Sequence, residues 1–164
     1  MKLLRQVDAL FNKIEGALLI TLLLVMMVMA FLQVVLRNVF SSGIIWADIL
    51  LRHLVLWISF LGAALATSIE RHISIDALTR FLSHKARHIS KVITNLFAAV
   101  ICYFMMKASI TFVGYEISDG HTVYGQIPSW YAQIIIPVGF GLLAFHFLVR
   151  VAANAAAAFS KESA

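Results

Sequence analysis

The sequence predicts an all-α integral membrane protein with four transmembrane helices and a basic amphipathic helix at the membrane surface. Hydrophobic residues make up 62% of the 164 positions, whereas charged residues make up only 13%. A soluble domain of this size carries about twice that charged fraction. Mean hydropathy is +0.92, and long apolar stretches alternate with short polar segments. We therefore expect one membrane domain over residues 1–164.

The first predicted span covers about residues 16–37. The 21 residues from Gly16 to Leu36 carry no charge, and as a helix they rise about 31 Å, enough to cross a bilayer. We expect a retained helix rather than a cleaved signal peptide, because the stretch is too long and Arg37 follows it without a small-residue cleavage site. Gln33 is expected to be a bonded amide inside the bundle, and Arg37 to extend toward the interface.

The second predicted span, about residues 50–70, is the segment around which the others are arranged. Asp48 and Arg52 precede it at a spacing of i, i+4, which permits an ion pair; the alternative is that they only cap the start of the helix. Small side chains on neighbouring helical positions let another helix come close, and that helix belongs either to this chain or to a partner. These small residues are Ser59, Gly62, Ala63 and Ala66.

A basic amphipathic helix is predicted over about residues 76–91. Apolar residues recur there at helical spacing, and basic residues occupy most of the other positions. Such a helix lies on a membrane surface, where anionic lipid headgroups attract its basic face; a solvated connector is the alternative. The residues expected to anchor this segment at the inner interface are Arg71, Arg80, Lys85, Arg87 and Lys91.

The third predicted span, about residues 92–115, is interrupted by Lys107. We expect its ammonium group to extend to the far interface, or to pair with Glu116 or Asp119. A charged side chain inside a membrane is also a candidate for a functional role, but the position of Lys107 toward the end of the span favours the interface.

The fourth predicted span covers about residues 127–149. Trp130 and Tyr131 near its start are typical of an aromatic belt at the membrane interface. Pro137 lies inside the helix, where it removes a backbone donor, so a local kink is expected.

The distribution of positive charge predicts the orientation. With both termini on the cytoplasmic side, ten Lys and Arg residues lie inside and three lie outside, namely Arg37, Arg52 and Lys107. Such a bias favours cytoplasmic termini. The net charge of +5 is thus an orientation signal, and we expect contacts with membrane lipids rather than with nucleic acid.

Catalytic and cofactor motifs are absent from the sequence. It contains no phosphate-binding loop, no dinucleotide glycine motif and no zinc-type His/Cys spacing. We therefore expect no enzyme activity, no cofactor and no metal site. Two alternatives stay open: a self-contained ion or proton channel, and a haem-carrying membrane anchor of a redox complex. The second would need paired histidines such as His72 and His146, although the position of His72 is typical of an interface or loop.

Several motifs stand at fixed offsets in the sequence: Arg37, Trp46-x-Asp48, Arg52, Trp57-x-x-Phe60-Leu61-Gly62-Ala63-Ala64-x-Ala66, His72-Ile73-x-Ile75-Asp76, Ile127-Pro128-x-Trp130, Ile136-Pro137-Val138-Gly139 and Leu142-Leu143. Together they resemble the small membrane subunit, of the DctQ type, of tripartite ATP-independent periplasmic (TRAP) transporters. The resemblance extends from about residue 14 to 150. Two departures are Ile49, where the family often has a second acid after Asp48, and Ser68, where a basic residue is common.

The resemblance implies a scaffold subunit of the bacterial inner membrane. It would hold a large membrane subunit that carries the substrate and sodium sites, and it would help a periplasmic binding protein dock during uptake of carboxylate substrates. The residues predicted to pack against the large subunit are Trp57, Phe60, Gly62 and Ala66. The residues predicted to face the binding protein are Arg37, Asp48, Arg52, Glu116 and Asp119.

Overall fold

The computed structural model describes residues 2–68, 84–124 and 127–159, and within these ranges it contains four helical segments long and apolar enough to cross a membrane. The predicted all-α membrane fold is therefore confirmed. The elements are α1 (Lys2–Phe40), α2 (Ile45–Ser68), α3 (His84–Asp119), β1 (Thr122–Tyr124), β2 (Ile127–Pro128), α4 (Trp130–Gln133) and α5 (Ile135–Phe159).

The third helix is longer than the predicted span 92–115. Residues 84–91, the second half of the predicted surface helix, form the first turns of α3 and are continuous with the membrane span. Residues 76–83 lie outside the described ranges. Lys85, Arg87 and Lys91 of the predicted segment therefore lie on the first turns of the third helix.

The fourth span is interrupted near its start. Ile127 and Pro128, predicted to begin the helix, instead form β2, which pairs antiparallel with β1. The helix begins at Trp130 and breaks at Ile134 between α4 and α5. Because Pro137 has no N–H group, the regular hydrogen bonding of the preceding turn is incomplete. The interruption at Ile134 lies three residues before Pro137, where the sequence predicts a kink.

The four long helices pack in the order α1, α2, α5, α3, with the most extensive contact between α3 and α5. The buried apolar core is small and includes Ala47, Ala64 and Ala99. Large apolar side chains cover the outside instead; on α1, Phe31 is 71% exposed. In a membrane such surfaces contact lipid tails or other transmembrane helices.

Two ends of this bundle are used below as reference points. The hairpin end is the α1–α2 turn (residues 41–44) together with the loop between α3 and α4 (residues 120–129). The terminal end is the opposite end, where α1 begins, α2 ends, α3 begins and α5 ends.

Candidate subunit interface

The α1–α2 turn is fastened by the side-chain amide of Gln33, which is only 5% exposed. Its Oε1 atom accepts a hydrogen bond from the Ile44 N–H at 2.9 Å, and its Nε2 atom donates to the Ile44 carbonyl at 2.8 Å. Nε2 also donates to Asp48 Oδ1 at 3.0 Å. The prediction that Gln33 is a bonded amide inside the bundle is confirmed, and its partner is the start of α2.

The charged groups beside this turn face outward. Asp48 lies in the first turn of α2, where the helix dipole favours a negative charge. Its Oδ2 atom is 3.4 Å from Arg37 Nη2, and the two side chains are 48% and 69% exposed. Asp48 therefore pairs with Arg37 and not with Arg52, although the sequence spacing of Asp48 and Arg52 permits an ion pair. Arg52 is exposed and makes no ion pair with a described residue.

A second polar cluster joins the end of α3 to the start of α4. Ser129, 5% exposed, donates from Oγ to Glu116 Oε2 at 2.5 Å, and its N–H donates to the His121 carbonyl at 2.9 Å. The His121 ring nitrogen Nδ1 lies 3.5 Å from the same Glu116 oxygen. Gly120 makes the turn with a φ of 66°, a conformation that glycine adopts at little cost. Asp119 remains exposed beside the cluster.

Two of the residues predicted to pack against a partner subunit are engaged within the chain. Trp57 donates from Nε1 to the Ala132 carbonyl at 2.9 Å, just before the break between α4 and α5. Phe60 lies against Gly139, where an added Cβ would stand only 2.4 Å from its Cδ1 atom. The ring of Phe60 also makes an edge contact with Phe140, with centroids 5.2 Å apart. Trp57 and Phe60 thus stabilise the packing of α2 against the fourth span.

The small residues of α2 divide between two faces. A Cβ added at Gly62 would lie 3.9 Å from Leu19 Cδ1, so this position faces α1 of the same chain. Ser59, Ala63 and Ala66 are exposed. Part of the small-residue stripe therefore serves the bundle itself, and the exposed part is accessible to another helix.

An apolar groove of about 660 Å³ opens between α2 and the loop that precedes α4. Its walls include Trp46, Trp57 and Tyr131, with His53 as a polar member. The His53 Nδ1 atom lies 2.8 Å from the Ile49 carbonyl of its own helix, which fits an N–H donor at that position. Within the described residues, no group of three His, Cys, Asp or Glu side chains is arranged to hold a metal ion.

The terminal end contains a buried pair that the sequence analysis missed. The ring nitrogen Nε2 of His146 lies 3.1 Å from Glu15 Oε1 and 3.3 Å from Oε2. The two side chains are 1% and 3% exposed. One turn nearer the N terminus, Phe11 packs on Phe145 with ring centroids 5.4 Å apart. These contacts join α1 to α5 at the end of the bundle farthest from the α1–α2 turn.

A sequence signal for this pair was present but incomplete. Glu15 stands immediately before the charge-free stretch of the first span, and His146 stands near the end of the fourth. The chain crosses the membrane four times between them, an even number, so both lie toward the same membrane side. What the sequence could not provide was the rotation of each helix, which decides whether the two side chains face each other.

Comparison with known proteins assigns the sequence that makes these contacts to a family. Residues 26–157 match the family model described as tripartite ATP-independent periplasmic transporters, DctQ component. The chain belongs to the DctQ family. The matched region includes the α1–α2 turn, the Glu116 cluster and His146, whereas Glu15 lies before it.

Individual relatives agree with this DctQ assignment. Over 107 residues the chain is 35% identical to a Haemophilus influenzae protein named as a TRAP transporter small permease, which covers 65% of this chain and 66% of that protein. Over 120 residues it is 30% identical to the C4-dicarboxylate TRAP transporter small permease protein DctQ of Pseudomonas aeruginosa, covering 66% and 55%. The chain thus spans less than two thirds of the length of these relatives.

A third relative is much longer than the region it shares with this DctQ chain. The sialic acid TRAP transporter permease protein SiaT of Haemophilus influenzae is 31% identical over 137 residues, which are 84% of this chain but only 22% of that protein. The family and the four apolar helices together identify a multi-pass protein of the bacterial inner membrane.

The predicted anchoring residues of this DctQ-family chain are placed only in part. Arg71 and Arg80, like His72, lie outside the described residues. Lys85 and Arg87 lie on the first turns of α3, but their side chains are not described. Lys91 is half-buried on the same helix. The predicted role of these five basic residues at the inner interface stays a prediction.

Proposed function

We propose that this chain is the scaffold subunit of a TRAP transporter and holds a large transport subunit in the inner membrane. The observation that carries the proposal is the family match over residues 26–157, which includes parts of all four spans. The long relative SiaT adds support, because the region shared with this chain is only 22% of its length. We infer that the remainder has a counterpart in a separate large partner of this chain.

The buried polar groups of the described residues are engaged in local contacts rather than arranged as a path. Within α3, Ser109 donates to the Met105 carbonyl, and near the end of α2, Thr67 donates to the Ala63 carbonyl, each one turn back on its own helix. The inter-helix contacts of Gln33 and of the Glu15–His146 pair lie at opposite ends. A transport path needs polar groups along the span, so we assign substrate and sodium binding to the large subunit, and no enzyme activity or cofactor to this chain.

The packing of the helices supports the scaffold role. The order α1, α2, α5, α3 puts α1 and α3 at the two sides of the arrangement and leaves extensive apolar surface uncovered. Helices in lipid associate through close packing of such surfaces. We propose that the exposed Ala66 packs against the large subunit. Trp57, Phe60 and Gly62 would also contact the large subunit, in addition to their contacts within this chain.

The proposed orientation puts the hairpin end in the periplasm, because ten of the thirteen Lys and Arg residues then lie on the cytoplasmic side. The charged groups there, of which Glu116 is only 17% exposed, would help a periplasmic binding protein dock and deliver an organic acid. This substrate class is supported by relatives named for C4-dicarboxylate and sialic acid. The residues assigned to this docking are Arg37, Asp48, Arg52, Glu116 and Asp119.

Affinity purification of the tagged chain from its native membrane in mild detergent tests the proposal, with the mass of the intact complex as the measurement. We expect a complex that contains one copy of this chain and one larger polytopic protein. Recovery of the chain alone or only with copies of itself would contradict the scaffold role. Flux measurements on the purified chain alone in liposomes test the channel alternative, and we expect none.

A further inference from the structure

Lys107 is a charged side chain on the exposed surface of a membrane-spanning helix. It is exposed on α3, inside the candidate span His88–Asp119. At 1.5 Å per residue, it lies about 28 Å from His88 and about 18 Å from Asp119 along the helix. The structure extends α3 beyond the span predicted from the sequence, so Lys107 is deeper in the helix than its position in that shorter span suggested.

None of the described residues supplies a partner for the Lys107 ammonium group. The predicted pairing with Glu116 or Asp119 does not form, since these acids lie roughly 13 and 18 Å farther along the same helix. Glu116 is already bonded to Ser129 and lies beside His121. The part of the chain that the structure describes therefore leaves this positive charge uncompensated at a depth where a charge is costly.

Extension to lipid headgroups does not resolve this cost at that depth. Glu116, one end of the polar cluster at the hairpin end, lies about nine residues beyond Lys107, or roughly 13 Å. The four-carbon stem of a lysine is much shorter than this distance. A negative charge beside the helix, within the apolar layer, would compensate the ammonium group directly.

The surface between Lys107 and the hairpin end suits a closely packed helix. Thr111, Gly114 and Ser118 follow Lys107 on the same helical face at steps of three or four residues, and all are exposed. A Cβ added at Gly114 would meet no atom within 4 Å. The Thr111 and Ser118 hydroxyls donate to carbonyls of α3 itself. Hence this part of the face is small and needs no polar partner.

The part of this α3 face that precedes Lys107 carries large aromatic side chains instead of small ones. Tyr103 and Phe104, one turn before Lys107, are 52% and 60% exposed. Large aromatic side chains there keep a neighbouring helix farther away than the small residues do. The narrow approach therefore begins at Lys107 and continues toward the hairpin end.

We propose that the α3 face formed by Lys107, Thr111, Gly114 and Ser118 docks a transmembrane helix of the large subunit that presents a carboxylate to Lys107. The inference rests on the scaffold function proposed above and specifies where the partner binds. Charge complementarity selects an acidic side chain, and the small residues allow the two backbones to approach.

The test compares variants of the tagged full-length chain by the amount of large subunit that each recovers from native membranes. Lys107→Met keeps the length of the side chain but removes the charge, and we expect recovery to fall roughly tenfold. Lys107→Glu should reduce it further, whereas Lys107→Arg should retain most of it. Gly114→Leu should reduce recovery by blocking close approach, whereas Ala108→Leu, on an exposed position about 100° away from Lys107 on α3, is the matched control.

A second measurement distinguishes a helix partner from lipid. The variant Thr111→p-benzoylphenylalanine is irradiated in native membranes and its adducts are identified by mass. An adduct with the large subunit supports the inference, and adducts with lipid alone overturn it. The inference is also overturned if Lys107→Met and Gly114→Leu both recover as much large subunit as the wild-type chain does. That result would leave the scaffold role intact. A wild-type chain that recovers no large subunit overturns the scaffold role itself, and the inference with it.

Discussion

The two ends of the bundle hold their helices together with opposite kinds of polar contact. At the hairpin end, Arg37 and Asp48 form an ion pair that is mostly open to the surroundings, with 69% and 48% of the side chains exposed. At the terminal end, His146 and Glu15 are 1% and 3% exposed. An exposed pair contributes little to stability, while a buried pair is costly to break. The exposed Arg37–Asp48 pair is therefore accessible to another protein, whereas the buried Glu15–His146 pair stabilises the packing of the helices.

The buried Glu15–His146 pair should give the largest effect when one side is removed. His146→Leu leaves a buried carboxylate without its imidazole partner, and we expect the free energy of unfolding to fall by about 3–5 kcal/mol. Unfolding of the purified chain, followed by Trp fluorescence, measures this change.

The matched control is the double variant Glu15→Leu with His146→Leu. Because apolar side chains then replace both polar groups, much of the stability should return. A His146→Leu variant as stable as the wild type would contradict the framework role of this pair.

Close packing near the middle of the bundle should give a smaller but clear effect. Gly139→Ala puts a Cβ about where the Phe60 ring lies, at 2.4 Å from Cδ1. We expect a loss of about 1–3 kcal/mol, which is typical of overpacking. Phe60→Leu introduced together with Gly139→Ala should restore part of the loss. An unchanged unfolding transition in Gly139→Ala would show that the ring moves aside without cost.

At the hairpin end, the buried component should matter more than the exposed one. Gln33→Leu removes the groups that satisfy the Ile44 N–H and carbonyl, and we expect about 1–3 kcal/mol of destabilisation. Hydrogen exchange at the start of α2 should increase, because the turn loses its fastening. Equal protection of these amides in variant and wild type would contradict the assigned role of Gln33.

The exposed pair should have the smallest effect on stability. Arg37→Ala is expected to change the free energy of unfolding by less than about 1 kcal/mol, since exposed ion pairs contribute little. If the hairpin end recognises a binding protein, uptake that depends on this protein should nevertheless decrease. A variant that unfolds much more easily would place Arg37 in the framework and break the contrast between the two ends.

Much of the architecture follows from the sequence because membrane spans are determined by length and apolar composition. Charge-free stretches located the spans, and Pro137 located the interruption of the fourth. The bonded state of Gln33 followed from its position inside an apolar span, since amides there need partners. These features depend on local chemistry, which a single sequence contains.

The contacts that could not be predicted depend on helix rotation and register. Glu15 precedes the charge-free stretch of the first span, and the helix α1, which begins at Lys2, carries it into the bundle against His146. Trp57 donates a hydrogen bond to the Ala132 carbonyl, just before the break of the fourth span at Ile134. The sequence indicates a break near Pro137, but it does not indicate which side chain bonds to the carbonyl beside it. The partner-facing surfaces depend in addition on the partner.

Quantification of the large subunit in native membranes, with and without this chain, tests the scaffold role most directly. Deletion of the chain should deplete the large transport subunit from the membrane and abolish uptake by the transporter, and expression of the chain from a plasmid should restore both. A large subunit that remains at its normal amount and transports normally without this chain would contradict the account.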